Sequence, residues 1–201
     1  MTHPSFPGSN PSASISTVAD QAANERGIGA VGMHHDRLSG LRDLLCHARG
    51  SSILDIGTNH GLVAFEFARR GAAIVHGCDI YGPGVDAARE IFTEMPAPSR
   101  FEVIDLARGP AALQAAFGRD YLRQYDIVLF LGMYHKLKEQ ISDRVIVELV
   151  QHLVDRTARF IATRTMKIEE LGMILADCGL RKVHFSALSS VVGPVEIWQR
   201  S

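Results

Sequence analysis

Cysteine is scarce in this chain and badly placed for chemistry. Cys46, Cys78 and Cys178 are odd in number, far apart and lack C-x-x-C spacing, which argues against a disulfide framework and against a thiolate zinc cluster. They read as reduced thiols in a core. An excess of one charge is missing too: 21 basic against 22 acidic residues leave a net charge of -1, so no long-range field draws nucleic acid or an acidic membrane, although a local basic patch is compatible with the total. No apolar run is long enough to span a bilayer. The opening MTHPSFPGSNPSAS has no positive segment followed by an apolar one, so neither a secretory leader nor a membrane partner is expected, and the expected location is cytoplasmic.

What is present is the composition of one soluble domain, with 46% hydrophobic and 21% charged residues in 201, enough chain to bury a sizeable core. Proline, serine, glycine and asparagine dominate the beginning, so residues 1–27 are expected to be a flexible tail or arm and residues 28–201 the domain.

From Val31 to Gly50, leucines at 38, 41, 44 and 45 recur at helical spacing and predict an amphipathic helix. Residues 52–56 form the first strand, and Gly61 opens a helix with Leu62, Phe65 and Ala68 toward the sheet and Glu66, Arg69 and Arg70 toward water. A second strand covers 73–79, YGPG at 81–84 is a loop, and VDAAREIFTEM is a helix stopped by prolines. Strand three is 101–105. YDIVLFLG at 125–132 is the most continuous apolar run, predicting a central strand buried on both faces. KEQISDRVIVELVQHLVDR predicts one long helix, 159–163 a strand and IEELGMILADCG the last helix. RKVHFSAL and PVEIWQR are separated by too few residues for a crossover helix, so they pair as an antiparallel hairpin. The sum is an α/β, doubly wound, mostly parallel sheet closed by that hairpin.

The stretch ILDIGTNHGLVAFEFARRGAAIVHGCD contains a strand, a glycine turn, a helix start and a second strand ending in Asp79. It reads as a nucleotide-cofactor cradle: Gly57 and Gly61 let the backbone turn sharply, and Asp79 can accept hydrogen bonds from ribose hydroxyls. The dinucleotide fingerprint G-x-G-x-x-G fails, because Asn59 and Leu62 occupy two of its glycine positions, which disfavours a nicotinamide-dependent oxidoreductase. Read as D-x-G-x-x-x-G, the segment Asp55, Gly57, Gly61 resembles the first motif of the class I S-adenosylmethionine-dependent methyltransferases, with Asn59 in place of the usual middle glycine. Asparagine tolerates positive φ, so the turn survives the change.

That resemblance extends over about Val31 to Ser201, and it implies a seven-stranded sheet and S-adenosylmethionine as cofactor. Asp79 stands where the family's ribose-binding acid stands, with Ile80 beside the adenine; Asp105 and Leu106 resemble the third-strand pair at the adenine amino group. FLGMYHKL resembles the segment after the fourth strand, where the backbone at Leu131 and Gly132 holds the methionine end of the cofactor. Thr58, Asn59 and Asp55 complete the implied cofactor set; a purely structural role for Asp55, bonding loop N–H groups, stands beside a contact to the cofactor's amino group.

At the reacting end, methyl transfer is an in-line displacement in which the protein aligns the partners and removes a proton if the nucleophile carries one. His135 is the candidate base and Tyr134, with Met133, a candidate pocket wall; helix capping and core packing are the competing readings. His60 lies in the cofactor turn, His34 and His35 precede the first helix as lid candidates, and Arg37 is a candidate for the cofactor's carboxylate. The motif after the fourth strand is LGMYH rather than N/D-P-P-Y/F, which disfavours amide and nucleobase amino acceptors, and Gly132 at its end removes the aspartate of metal-dependent catechol-type enzymes, so no metal is expected. The implied substrate is a small molecule methylated on oxygen or nitrogen. FLGMYHKL also resembles enzymes that alkylate wobble uridine, which keeps a transfer RNA partner open, with Arg119, Arg123, Lys136 and Lys138 as its basic grouping. A non-catalytic scaffold is the further alternative.

Overall fold

The computed structural model of the protein describes residues 37–187 and 193–200. The expected arm 1–27 and the lid candidates His34 and His35 lie outside the described residues.

The strands are β1 (Ser52–Ile56), β2 (Ile74–Asp79), β3 (Ser99–Val103), β4 (Tyr125–Leu131), β5 (Thr157–Arg164), β6 (Leu180–Ser186) and β7 (Val195–Arg200). They make one sheet of order β3-β2-β1-β4-β5-β7-β6. The first five run parallel and β7 lies antiparallel between β5 and β6, as the short connection of the terminal hairpin requires.

The helices are α1 (Arg42–Leu45), α2 (Leu62–Arg69), α3 (Gly82–Phe92), α4 (Ala111–Phe117), α5 (Tyr134–Lys138), α6 (Asp143–Asp155) and α7 (Ile168–Asp177). Because successive strand side chains point to opposite faces, Ile53, Val75, Ile127 and Leu129 pack under α1, α2 and α3. Leu54, Ile56, Val128 and Phe130 pack under α4, α6 and α7. Ile127, Val128 and Leu129 are each 0% exposed, so β4 is the doubly buried central strand that its unbroken apolar run predicts. Its register beside β1 is pinned where Asp126 Oδ2 accepts from both Ser52 N and Ser52 Oγ at 2.9 Å.

Several elements differ from expectation for identifiable reasons. The helix expected over 31–50 is reduced, among the described residues, to α1 and flanking turns. Gly40 turns the chain at φ +78, and a Cβ there would stand 2.8 Å from Ser186 and Val195, so the backbone is pressed against the terminal hairpin instead of continuing a helix. The long helix expected from Lys138 onward starts at Asp143, because Ser142 takes an extended ψ of 153° and caps α6 with its hydroxyl. YGPG is not a loop: Tyr81 is the N-cap of α3, and Pro83 sits in the first turn, where its missing N–H is harmless. β3 ends two residues early, and Asp105 lies beyond it as the cap of a short 3-10 turn, its Oδ1 accepting from Ala107 N at 3.0 Å. Glu66 does not face water; it is 5% exposed and is paired with Arg69 and Arg70.

Candidate active site

The parallel strand order reverses between β1 and β4, and a crevice opens beyond the carboxyl ends of the strands at such a point. A cavity of about 540 Å³ lies there. The turn from β1 to α2 forms its floor. Gly57 at φ 82, Asn59 at φ 50 and Gly61 at φ 73 alternate left-handed backbone through five residues. Asn59 therefore adopts the conformation that glycine would hold there, and asparagine is among the few side-chain-bearing residues that do so without large strain.

Hydrogen bonds stitch this turn to the end of β2. Gly57 N and Thr58 N donate to Cys78 O at 2.8 and 2.9 Å, and Gly61 N donates to Thr58 O at 2.9 Å. Asp79 then clamps both loops: its Oδ2 accepts from Asn59 N at 2.8 Å and its Oδ1 from Tyr81 N at 2.9 Å. Each carboxylate oxygen keeps acceptor capacity for a ligand hydroxyl. A Cβ on Gly57 would overlap Cγ and Sδ of Met133, so the loop lies directly against the segment after β4.

Asp55 is 3% exposed and accepts from Thr58 Oγ1 at 2.8 Å. Burial raises its pKa from 3.8 to about 7, against the lowering effect of the Thr58 bond and with a further upward push from Asp79. The fold thus holds a proton that the unfolded chain has already released, so the Asp55 contribution to stability falls as pH rises from 3.8 through about 7. The Asp55→Asn protein is expected to lose this dependence and to gain on the wild type as pH rises, by up to about 4 kcal/mol. Thermal melts of both proteins from pH 4 to pH 8 check it, and a constant difference across that range would exclude the raised pKa.

No protein-family model and no curated protein matches the chain. Solved structures do. Magnesium protoporphyrin IX methyltransferase from Synechocystis PCC 6803, with bound S-adenosylmethionine, is similar at a TM-score of 0.61 and 18% identity, over 84% of this chain and 81% of that one. The N-methyltransferase NodS from Bradyrhizobium japonicum WM9 is similar at 0.64 and 12% identity, over 85% and 97%. A ribosomal protein L11 methylase from Lactobacillus delbrueckii subsp. bulgaricus is similar at 0.54 and 14%, over 79% and 77%. This chain has the class I methyltransferase fold.

On that methyltransferase fold, ten residues of the implied cofactor set line this cavity: Asp55, Gly57, Thr58, Asn59, Asp79, Ile80, Asp105, Leu106, Leu131 and Gly132; Met133 and Arg37, the candidate pocket wall and carboxylate contact, line it too. Gly61 does not reach it, because it turns the chain beneath the loop against Ala88. Tyr134 and His135 lie off its lining. Tyr134 is 0% exposed in the core against α6, and neither it nor His135 lines the cavity. The reason is that Met133 is already the cap of α5: the first helical residues turn away from the sheet edge, and the residues of the next turn, Lys136, Leu137 and Gln140, reach the cavity.

Sequence reasoning also missed Arg164 as a site residue. It ends β5, is 8% exposed and lines the cavity. Its Nη2 donates to Arg37 O at 2.8 Å and Ser39 O at 3.0 Å. A charged residue at the carboxyl end of a buried strand is the available signal, since such a position opens onto the crevice.

Of the basic grouping, only Lys136 lines the cavity. Lys138 is bound to Asp143 at 2.8 Å and to Glu170, and Arg119 and Arg123 do not line the cavity.

Proposed function

We propose that this protein is an S-adenosylmethionine-dependent methyltransferase acting on oxygen or nitrogen of a small molecule. The observation that carries the reading is Asp79: a half-buried carboxylate at the end of β2, locked by two backbone N–H groups, beside a left-handed turn at the strand-order switch point. It is poised to accept from a vicinal diol, and the exposed side chains of Ile80 and Tyr81 next to it offer an apolar surface to a purine. Asp105, beyond β3, supplies an acceptor on the same side. The residues present fit the cofactor, since the carboxylates of Asp79 and Asp105 and the apolar side chains of Ile80 and Leu106 line one cavity of about 540 Å³.

The cofactor supplies an electrophilic methyl group on sulfonium. The chain's own contribution is alignment and exclusion of water: the Asp55–Gly61 turn and Asp79 hold one end, while Met133, Leu137 and Leu131 wall the crevice near the end of β4. On the β4 and β5 side the cavity has no imidazole or carboxylate among the described residues, so these residues favour an acceptor whose nucleophile arrives deprotonated. Among the described residues no helix is long and apolar enough to cross a membrane.

Calorimetric titration tests the reading. S-adenosylmethionine and S-adenosylhomocysteine are expected to bind in the micromolar range, near -8 kcal/mol, and NAD is expected to give no saturable heat. Failure of both sulfur nucleosides to bind folded protein would leave the scaffold reading standing and remove this one.

A further inference from the structure

Acids and bases in the cavity are sorted strand by strand. Asp105 follows β3, Asp79 ends β2 and Asp55 lies in β1, whereas Lys136 follows β4, Arg164 ends β5, and Arg37 is tied to Arg164 through its carbonyl. Adjacent strands are about 4.8 Å apart, so Asp79 and Arg164, three strands distant, are separated by roughly 14 Å. A ligand held by Asp79 and lying across β1 and β4 leaves Arg164 beyond its far end.

Arg164 is not neutralised. Its Nη2 is used by two backbone carbonyls, but its Nε is buried without any partner. Burial, with the like charge of Arg37 adding to it, lowers its pKa to about 10 and still leaves it cationic at neutral pH. No carboxylate stands within ion-pair distance of Arg37, Lys136 or Arg164 among the described residues, in contrast to Lys138 one turn away, which has two. A buried guanidinium N–H without an acceptor is expensive, and the deficit is removed when a ligand brings the oxygen. The planar fork of arginine suits carboxylate and phosphate oxygens in particular.

We propose that the β5 end of the cavity binds an anionic group of the methyl acceptor, a carboxylate or phosphate, with Arg164 as the principal contact and Lys136 and Arg37 flanking it. The inference rests on the methyltransferase reading, and the amino-acid carboxylate of the cofactor is the other source of the same chemistry. Arg164 then has a double duty, tethering residues 37–39 through Nη2 while the rest of its guanidinium, which lines the cavity, serves the acceptor.

The experiment is a pair of titrations on wild type, Arg164→Gln and Lys136→Gln, each first verified as folded by its melt. In the first, S-adenosylhomocysteine and 5′-methylthioadenosine, which lacks the amino-acid carboxylate, are titrated into the three proteins. In the second, benzoate and inorganic phosphate are titrated into S-adenosylhomocysteine-loaded protein and into unloaded protein. At least one anion is expected to bind the wild type saturably, with affinity reduced roughly tenfold in Arg164→Gln and about threefold in Lys136→Gln, and with S-adenosylhomocysteine affinity within about twofold of wild type in both.

Three outcomes overturn the proposal. Loss of S-adenosylhomocysteine affinity in Arg164→Gln with methylthioadenosine affinity retained assigns the guanidinium to the cofactor. Absence of saturable anion binding by the wild type, or equal binding by Arg164→Gln, leaves Arg164 a tether only. If Arg164→Gln does not fold, the exposed Lys136 decides, and unchanged anion affinity in Lys136→Gln overturns the site. Failure of the wild type to bind S-adenosylhomocysteine counts separately, against the cofactor reading, because the unloaded protein still reports an Arg164-dependent anion site.

Discussion

Replacing Asp79 by alanine is expected to lower the affinity for S-adenosylmethionine about a hundredfold. Two charge-assisted hydrogen bonds to ribose hydroxyls, each worth about 1.5 kcal/mol or more, account for that factor. The damage goes further than lost ligand contacts. Asn59 N and Tyr81 N both spend their protons on this carboxylate, so truncation frees the cofactor turn and the start of α3 together, with a stability loss of about 2 kcal/mol. Asp79→Asn separates the two effects, since one amide oxygen still accepts from one of the loops while the charge is gone. Calorimetry gives the affinities and thermal melts the stabilities. An Asp79→Ala protein that melts close to wild type and binds the cofactor equally well would mean that the β2 acid is a loop staple and nothing more.

Gly61→Val carries the largest expected effect on the fold itself. The residue has φ +73, where a β-branched side chain is strained, and its Cβ would stand 2.9 Å from Ala88 Cβ and 3.3 Å from Ala88 Cα. Backbone strain of roughly 1–2 kcal/mol and overpacking of 1–3 kcal/mol act together, which in a chain of this size lowers the melting temperature by roughly 10 °C. Because α2 and α3 would be pushed apart, the turn between Asp55 and Gly61 would shift and cofactor binding would fall with stability. Gly50→Ala is the contrast: its φ of +73 equals that of Gly61, but nothing lies within 4 Å of the added Cβ, so its loss should stay near the backbone cost alone, about 1 kcal/mol. Equal losses at the two positions would remove the role assigned to close packing of α2 on α3.

The two substitutions also separate what pattern reveals from what packing adds. The alternation of positive-φ residues in the turn is written in the glycines and in Asn59; that Gly61 needs to be glycine because Ala88 lies against it is a fact about a helix more than twenty residues away. The central strand and the terminal hairpin were legible because their signals are local: an unbroken apolar run for β4, and a connection too short for a crossover in the hairpin. Asp79 was legible because strand ends in a parallel sheet point to one crevice whatever the details of packing, and Asp105 because the segment resembles the methyltransferase third-strand motif.

Glu66 was misplaced for the opposite reason. Its helical position looks solvent-facing by periodicity, but Arg69 and Arg70 fold over it and leave it 5% exposed. Where Tyr134 and His135 lie was not legible, since a short helix beginning at Tyr134 puts that ring in the core and leaves Lys136 and Leu137 on the cavity. Arg164 was the residue least accessible to sequence reasoning, for its nearest polar partners are 125 and 127 residues away.

By itself the sequence determined the order of strands and helices, the doubly wound layout, the left-handed turn after β1 and the place of Asp79 at the end of β2, because each follows from short-range periodicity, backbone preference or the rule that parallel strands share a carboxyl-end crevice. Only the tertiary structure decided which side chains meet at the β4 to β5 edge. Arg37, Lys136 and Arg164 come from three separate segments, and no local pattern encodes that a guanidinium at the end of β5 will be buried, held by two distant carbonyls through Nη2, and left with Nε unpaired.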